Sequence, residues 1–315
     1  MRERIRSAAF IARTDISFML RQRETILWVF VMPLLFFYFI GTVTGGFGGN
    51  TPDRPDPIAL QTPSSGVALD AIVKRLETGN FRVERPATGE ALEPFTRRLV
   101  LPAFTDESLS AGRRQDPPAG FSQAVPGTMV MFTMLILLTS GAITLVVERE
   151  YGLLRRLAST PITAGSIVAG KWTSRMALGL VQIAFAMLVG RLLFKVDWGP
   201  SVAMVALVLA AWASFNASFA LLLGNIARTQ PQMAGAGVLI TMVLAALGGC
   251  WWPIEITPEW MQSLALALPT GWTMDAMHKL VNFGYGPGAA VPHVAVLAGA
   301  SVLCGWGGAK IFRYQ

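Results

Sequence analysis

The sequence predicts an all-α polytopic membrane protein: six transmembrane helices, an N-terminal interfacial helix and a small α/β extracytoplasmic domain. Three observations carry that fold class. Hydrophobic residues fill 53% of the 315 positions and charged residues 14%, against roughly 25% charged in an ordinary soluble chain, and the mean hydropathy is +0.49. Apolar runs of about 20 residues, the length that crosses a roughly 30 Å hydrocarbon core, recur six times. Cations gather at the ends of those runs and not in their middles.

Each element follows in order. The leader, 1–25, spaces Ile5, Ala9, Ala12, Ile16 and Met19 at helical intervals with Arg6, Arg13, Asp15 and Arg21 between them. That pattern predicts a cytoplasmic amphipathic helix lying on the inner leaflet. The first span is 26–44, with Pro33 placed to bend the helix without ending it. From 45 to 123 the chain turns polar, and 57–60, 81–83 and 99–101 read as strands around a helix at 67–76, a small α/β unit. The remaining spans are 125–147, 167–194, 201–224, 233–252 and 289–311. In hydrocarbon every backbone amide must be satisfied within its own segment, so all six are expected as helices. Between the last two spans, 253–288 contains Trp260, Leu264, Leu268, Trp272, Met277 and Leu280, broken at Pro269 and Gly271. Short interfacial or re-entrant helices with a tryptophan belt are the expectation there.

The net charge of +7 and pI near 9.9 do not point to nucleic acid, because the cations are scattered at helix ends with no base-reading module. They orient the chain instead. With the N-terminus inside, the cytoplasmic segments collect Arg2, Arg4, Arg6, Arg13, Arg21, Arg23, Arg149, Arg155, Arg156, Lys171, Arg175, Arg228, Lys310 and Arg313, while the short outer loops hold Arg191, Lys195 and Lys279. Both termini therefore read as cytoplasmic. Gly165 to Lys171 matches the opening of a phosphate-binding loop, but Trp172 stands where Ser or Thr must hold Mg²⁺. Lys171 reads instead as an inner-leaflet anchor. His278 and His293 have no Cys or carboxylate at metal-ligand spacing, and no nucleophile motif is visible. The chain is expected to be neither an ATPase nor any other enzyme, and to hold no metal.

The most informative stretch is 148–162, dense charge between two apolar runs, within the cytoplasmic elbow 148–166. Glu148 and Glu150 can pair with neighbouring arginines, and Arg155 and Arg156 offer bidentate donors to a partner's carboxylates. Gly152 permits a sharp turn, Leu153, Leu154 and Leu157 supply an apolar contact, and Pro161 stops the helix. This segment, followed by Lys171, resembles the coupling loop of type-2 ATP-binding cassette (ABC-2) permeases of the bacterial drug-export kind: acidic residues, Gly, a Leu/Arg-rich turn and a terminal Ser/Thr-Pro. The leader, six spans, large loop after the first span and re-entrant segment before the sixth extend the resemblance over nearly the whole chain. It departs from many such members in the polar segment, which passes from Ala111-Gly112-Arg113-Arg114 to Pro117-Pro118 with little between.

The resemblance implies the permease subunit of an exporter in the bacterial inner membrane, moving an amphiphilic drug or lipid-like compound outward. It implies an ATP-binding cassette ATPase subunit docked on Glu148, Glu150, Gly152, Leu154, Arg155, Arg156, Leu157 and Pro161, with ATP and Mg²⁺ on that partner and no cofactor on this chain. A second permease copy, the same chain or a close paralogue, and membrane lipid complete the expected partners. Met129, Phe132, Leu135 and Thr139 on the second span, with Thr241 and Met242 on the fifth, are the candidate cargo path, since Met and aromatic surfaces suit varied apolar ligands. An ion-gradient-driven transporter is disfavoured by the absence of an acidic residue at mid-membrane depth. A membrane enzyme is disfavoured by the lack of a catalytic constellation.

Overall fold

The computed structural model describes residues 2–21, 26–47, 56–59, 81–84, 117–160 and 162–312. It divides into two compact units, 48–116 and the remainder. Of the smaller unit, the described residues are two strands, β1 (Asp56–Ala59) and β2 (Phe81–Glu84), paired in parallel with Asp56 opposite Phe81. Parallel pairing requires a long crossover connection. The expected helix at 67–76 and third strand at 99–101 lie outside the described residues.

The described residues of the larger unit are helical and contain six helices long and apolar enough to cross a membrane. They comprise α1 (Arg2–Arg21), α2 (Met32–Phe47), α3 (Phe121–Ile136), α4 (Ala142–Glu150), α5 (Leu153–Ala158), α6 (Ala164–Leu192), α7 (Val202–Ile226), α8 (Gln230–Leu247), α9 (Glu259–Ala265), α10 (Pro269–Met277) and α11 (Val291–Lys310). A π turn, Leu27–Val31, leads into α2 just before Pro33, which has no N–H to continue the ordinary ladder. A second π turn, Leu137–Gly141, joins α3 to α4, so that the second span runs unbroken from Phe121 to Glu150. The hydroxyls of Thr139 and Ser140 fold back onto the carbonyls of Leu135 and Ile136 and satisfy the loosened ladder from within.

The second span and α7 form the centre of the bundle. Trp212 is fully buried and donates from Nε1 to the Val130 carbonyl at 3.0 Å, pinning α7 to α3. On the other side of α7, Ser214 and Ser218 meet Ser301 of α11 at 2.7 and 3.0 Å, and Asn225 donates to the Gly308 carbonyl. Small residues let two helix backbones approach, and hydroxyls bond across the seam. The first span packs on α3 through Phe36 against Phe132, edge to face.

Several span boundaries differ from those expected. The second span starts at Phe121, four residues before 125, because the Gln123 side chain is satisfied inside the protein. The third starts at Ala164 and not 167, since the Thr163 side chain caps it by accepting from the Ser166 amide. The fifth ends at Leu247 and not 252, where Gly248 and Gly249, the latter at φ +78°, turn the chain away. The leader differs more. Its buried face is Ile11 and Ala12, packed against α6 over Gly170, while Ala9 is exposed. Part of the apolar stripe therefore packs on a protein helix.

At the end of the bundle remote from the elbow, residues after α8 fold back over α3. Gly127 is the close-approach point: a Cβ there would stand 1.9 Å from the Cys250 carbonyl oxygen. Cys250 is buried, and burial pushes its thiol up, so it is inert. Gln123 donates from Nε2 to the Gly249 carbonyl at 2.8 Å and accepts at Oε1 from the His278 Nε2 side, also at 2.8 Å. His278 Nδ1 lies 2.7 Å from Glu255 Oε1. Nearby, Asp275 Oδ2 binds both Lys279 Nζ and His293 Nε2 at 2.6 Å. Both histidines thus have carboxylate hydrogen-bond partners in space, and among the described residues no group of three or more His, Cys, Asp or Glu could hold a metal ion.

Two outcomes are expected. Gly127→Ala should lower stability by about 1–3 kcal/mol, as overpacking against a backbone atom does, measured by denaturant titration in detergent. Burial pushes the Asp275 carboxyl up, but hydrogen bonds from His293 and Lys279 and the Lys279 charge outweigh it and hold the group below its ordinary value. A depressed carboxyl contributes stability above its unfolded value, about 3.9, and loses it as pH falls through the folded value. The melting temperature should therefore drop below about pH 4, and Asp275→Asn should flatten that acid limb while lowering the neutral-pH value.

Candidate functional site: the charged elbow and its buried root

The elbow is built by a helix stop, a turn and a restart. The α4 helix ends at Glu150, and Gly152 sits at φ +69° with open space around the position a Cβ would take. The left-handed backbone alone therefore demands glycine there. The Gly152 amide donates to the Arg149 carbonyl, closing α4. After α5, the hydroxyls of Ser159 and Thr160 tie back to the Arg156 and Leu157 carbonyls at 2.8 and 2.6 Å, finishing the short helix with its own side chains.

The expected contact residues divide by exposure. Glu150, Tyr151, Leu153, Arg155 and Arg156 are exposed, Tyr151 at 73%. Leu154 is fully buried and Leu157 half-buried, so Leu154 is the root of α5 and Leu153 part of its outer face. Pro161 lies outside the described residues. Glu148 is not on the free surface: its carboxylate lies 2.6 Å from Lys171 Nζ.

That pair belongs to a four-charge hub. Lys171 and Arg175, one turn apart on α6, are 1% and 0% exposed. Asp15 of α1 lies 3.4 Å from Lys171 Nζ and 3.6 Å from Arg175, and Ser174 donates to the same carboxylate oxygen at 3.3 Å. Arg175 also donates from Nε and its terminal nitrogen to the Gly141 carbonyl, at 3.1 and 2.5 Å, and back to the Lys171 carbonyl at 2.8 Å. Two cations and two carboxylates give a neutral cluster, which is how buried charge is tolerated. Beside it, Arg149 extends from α4 to the carbonyls of Gly224 and Ala227 at the end of α7, where a cation suits both the unpaired carbonyls and the negative end of the helix dipole. Lys171 is therefore a buried ion-pair partner and not an inner-leaflet anchor.

The elbow's outer face is thus joined rigidly to four elements: α4 directly, α6 and α1 through the hub, and α7 through Arg149. The hub's connections were not expected from sequence. A signal was available, since Lys171 and Arg175 lie at i,i+4 inside an apolar helix, where ionisable side chains need named partners. What pattern alone does not supply is Asp15 as that partner.

The candidate path residues lie elsewhere. Met129, Phe132, Leu135 and Thr241 are buried inside the single chain, while Thr139 and Met242 are half-buried. Thr139 faces α8 at Gly237.

Lys171→Met should cost about 3–5 kcal/mol, the usual penalty for leaving a buried carboxylate unpaired. Lys171→Met with Glu148→Leu should recover a large part of that loss, and a double-mutant cycle on unfolding free energies reads the difference.

Comparison with known proteins agrees with this architecture. Residues 8–281 match the family profile described as ABC-2 type transporter. The chain is 27% identical over 185 residues to the linearmycin resistance permease protein LnrN of Bacillus subtilis (strain 168), covering 59% of this chain and 48% of that protein. It is 28% identical over 183 residues to the inner membrane transport permease YhhJ of Escherichia coli (strain K12), covering 57% and 48%. To the probable multidrug ABC transporter permease YbhR of the same strain it is 27% identical over 146 residues, covering 46% and 39%. In each case the matched region spans less than half of the relative's length. With six apolar helices around a charged elbow and a family match across most of its residues, the chain is a multi-pass membrane protein belonging to the ABC-2 type transporter family.

Proposed function

We propose that the protein is the permease subunit of an ATP-binding cassette exporter, with ATP and Mg²⁺ bound by a separate ATPase subunit that docks on the elbow. The observation that carries this reading is the exposed face made by Glu150 and Tyr151 at the end of α4 and by Leu153, Arg155 and Arg156 on α5, a short helix whose root is fixed in the bundle. A push on that face moves α4 and α6 together because the buried hub joins them. An aromatic ring flanked by guanidinium groups is well suited to a partner surface carrying carboxylates. Energy has to come from elsewhere, since the segment resembling a phosphate-binding loop is the start of α6, with Lys171 committed to Glu148 and Asp15.

The cargo proposed is an amphiphilic drug or lipid-like compound, a reading supported by relatives described as a linearmycin resistance permease and a probable multidrug permease. A second permease copy would complete the path. The exposed apolar positions Val238, Leu239 and Val243 on α8 give it a surface to meet, and Thr139 and Met242 are the path candidates nearest a surface. The elbow end faces the cytoplasm in this reading, with both termini on that side of a bacterial inner membrane, as the cation bias supports.

Co-expression with an ATP-binding cassette ATPase should yield a complex stable in detergent. Reversing Arg155 and Arg156 to glutamate should weaken it at least about tenfold, equivalent to about 1.4 kcal/mol, without lowering the melting temperature of the permease alone, because both side chains are exposed. Equal binding by the reversed variant would place the docking surface elsewhere.

A further inference from the structure

We infer that the outward stripe of α1, formed by Arg6, Phe10, Arg13 and Arg21, is a binding surface for anionic phospholipid headgroups. These positions follow at steps of four, three and eight residues, which places them within about 80° of one another around a helix. All four are exposed, Phe10 at 67%. The opposite side of α1 is occupied: Ile11 and the Ala8 carbonyl face Gly170 of α6, and Asp15 reaches Lys171, Ser174 and Arg175. Asp15 is the only acidic residue among the described side chains of α1, and it is committed to the hub. The outward stripe therefore presents three guanidinium groups that make no ion pair among the described residues.

The helices fix the depth of this stripe. The second span begins at Phe121, and a hydrocarbon core of roughly 30 Å takes about 20 residues, which brings its other edge to Gly141. Arg175 donates to the Gly141 carbonyl, Gly224 of α7 lies against the Ala142 backbone, and Gly308 of α11 lies against Leu222, so four helices reach that edge together. An aromatic and basic pair marks the same level. Lys310 Nζ lies 5.0 Å over the ring of Trp306, which is exposed, as interfacial anchors are. The contacts of α1 with α6 at Gly170 to Arg175 fall within roughly 8 Å of the edge, on the elbow side. That is about the depth of one headgroup layer.

Chemistry selects the occupant. A phosphodiester offers two anionic oxygens in the geometry that a guanidinium fork accepts, and Phe10, between Arg6 and Arg13, has an apolar ring to place at the acyl boundary. A protein partner would have to match carboxylates to arginines spread over about 22 Å of helix, whereas a lipid surface supplies an anion at every point along it. Each basic residue near an anionic lipid surface adds on the order of fivefold to binding, so three add roughly a hundredfold. A lipid held there also braces the helix that carries Asp15 to the hub.

The test uses the full chain without ATPase or cargo, so its outcome is independent of the transport reading. Phosphatidylglycerol and phosphatidylcholine are titrated separately into the protein in an uncharged detergent, and bound lipid is counted by native mass spectrometry. The unmodified chain should prefer phosphatidylglycerol. Arg6→Gln, Arg13→Gln and Arg21→Gln combined should cut that preference at least about fivefold, the contribution of one arginine. A smaller cut overturns the proposal. A second measurement needs none of the arginine variants: a nitroxide on Phe10→Cys in nanodiscs of the two lipids mixed, with Cys304→Ala and with the buried Cys250 left in place. Stronger relaxation by oxygen than by a water-soluble nickel complex is the result expected of a position facing lipid. The reverse order overturns the proposal, and shielding of that nitroxide by added ATPase would then identify the stripe as a protein-docking face.

Discussion

Removing an ammonium and a guanidinium from water costs several kcal/mol each unless counter-charges and hydrogen bonds are supplied in place. The elbow end of this protein is organised around that constraint. Lys171 and Arg175 are buried on α6, and everything that makes their burial tolerable comes from other elements: Glu148 from α4, Asp15 from α1, and the Gly141 carbonyl from the π turn of the second span. A charged cluster of this kind has little freedom to slide, because any shift of one member leaves another unpaired in a medium where that is expensive. Hydrophobic contacts between smooth helices are far more forgiving. The hub therefore fixes which way the elbow points, while apolar packing fixes only that the helices lie together.

The same reasoning explains which parts of the molecule could be read in the chain. Spanning helices are dictated by local composition, so the six apolar runs and the break at Gly152 are legible one segment at a time. The end of the fifth span at Gly248 was missed because a glycine pair turns the chain while the flanking residues stay apolar through Trp252. The start of the third was missed because the cap lies in one side chain, Thr163. Partners are harder still. Asp15 and Lys171 are separated by 156 positions, and Gln123 and His278 by 155. No periodicity records pairings at that distance. In the elbow, exposure separated Leu153 from Leu154 although they are adjacent and identical, because a short helix presents successive residues about 100° apart.

The two ends of the bundle use different chemistry for similar mechanical work. At the elbow end, full charges are cancelled by full charges. At the other, hydrogen-bond polarity does most of the fastening, through an amide, an imidazole and a backbone carbonyl in series. The second span joins them, with Gln123 near one terminus and Glu148 near the other. Its central position beside α7, and the buried Trp212 contact between them, make it the element through which a change at either end would be felt by the rest.

The π turn at Leu137–Gly141 has a consequence for how the family can vary in length. A π turn is an α-helix carrying one extra residue in a single wide turn, and here the surplus is accommodated between two stretches that are each fixed by other contacts: Trp212 and Gln123 hold the part before it, and Arg149 and Glu148 hold the part after. Loss of one residue within that turn would restore a plain helix without rotating either stretch, so both sets of contacts would keep their facing. Loss of one residue a few positions away would turn one end by about 100° relative to the other. Relatives differing by a single position in this span are thus expected to place the difference at Leu137–Gly141, and alignments that put the gap elsewhere would misassign the faces of the helix.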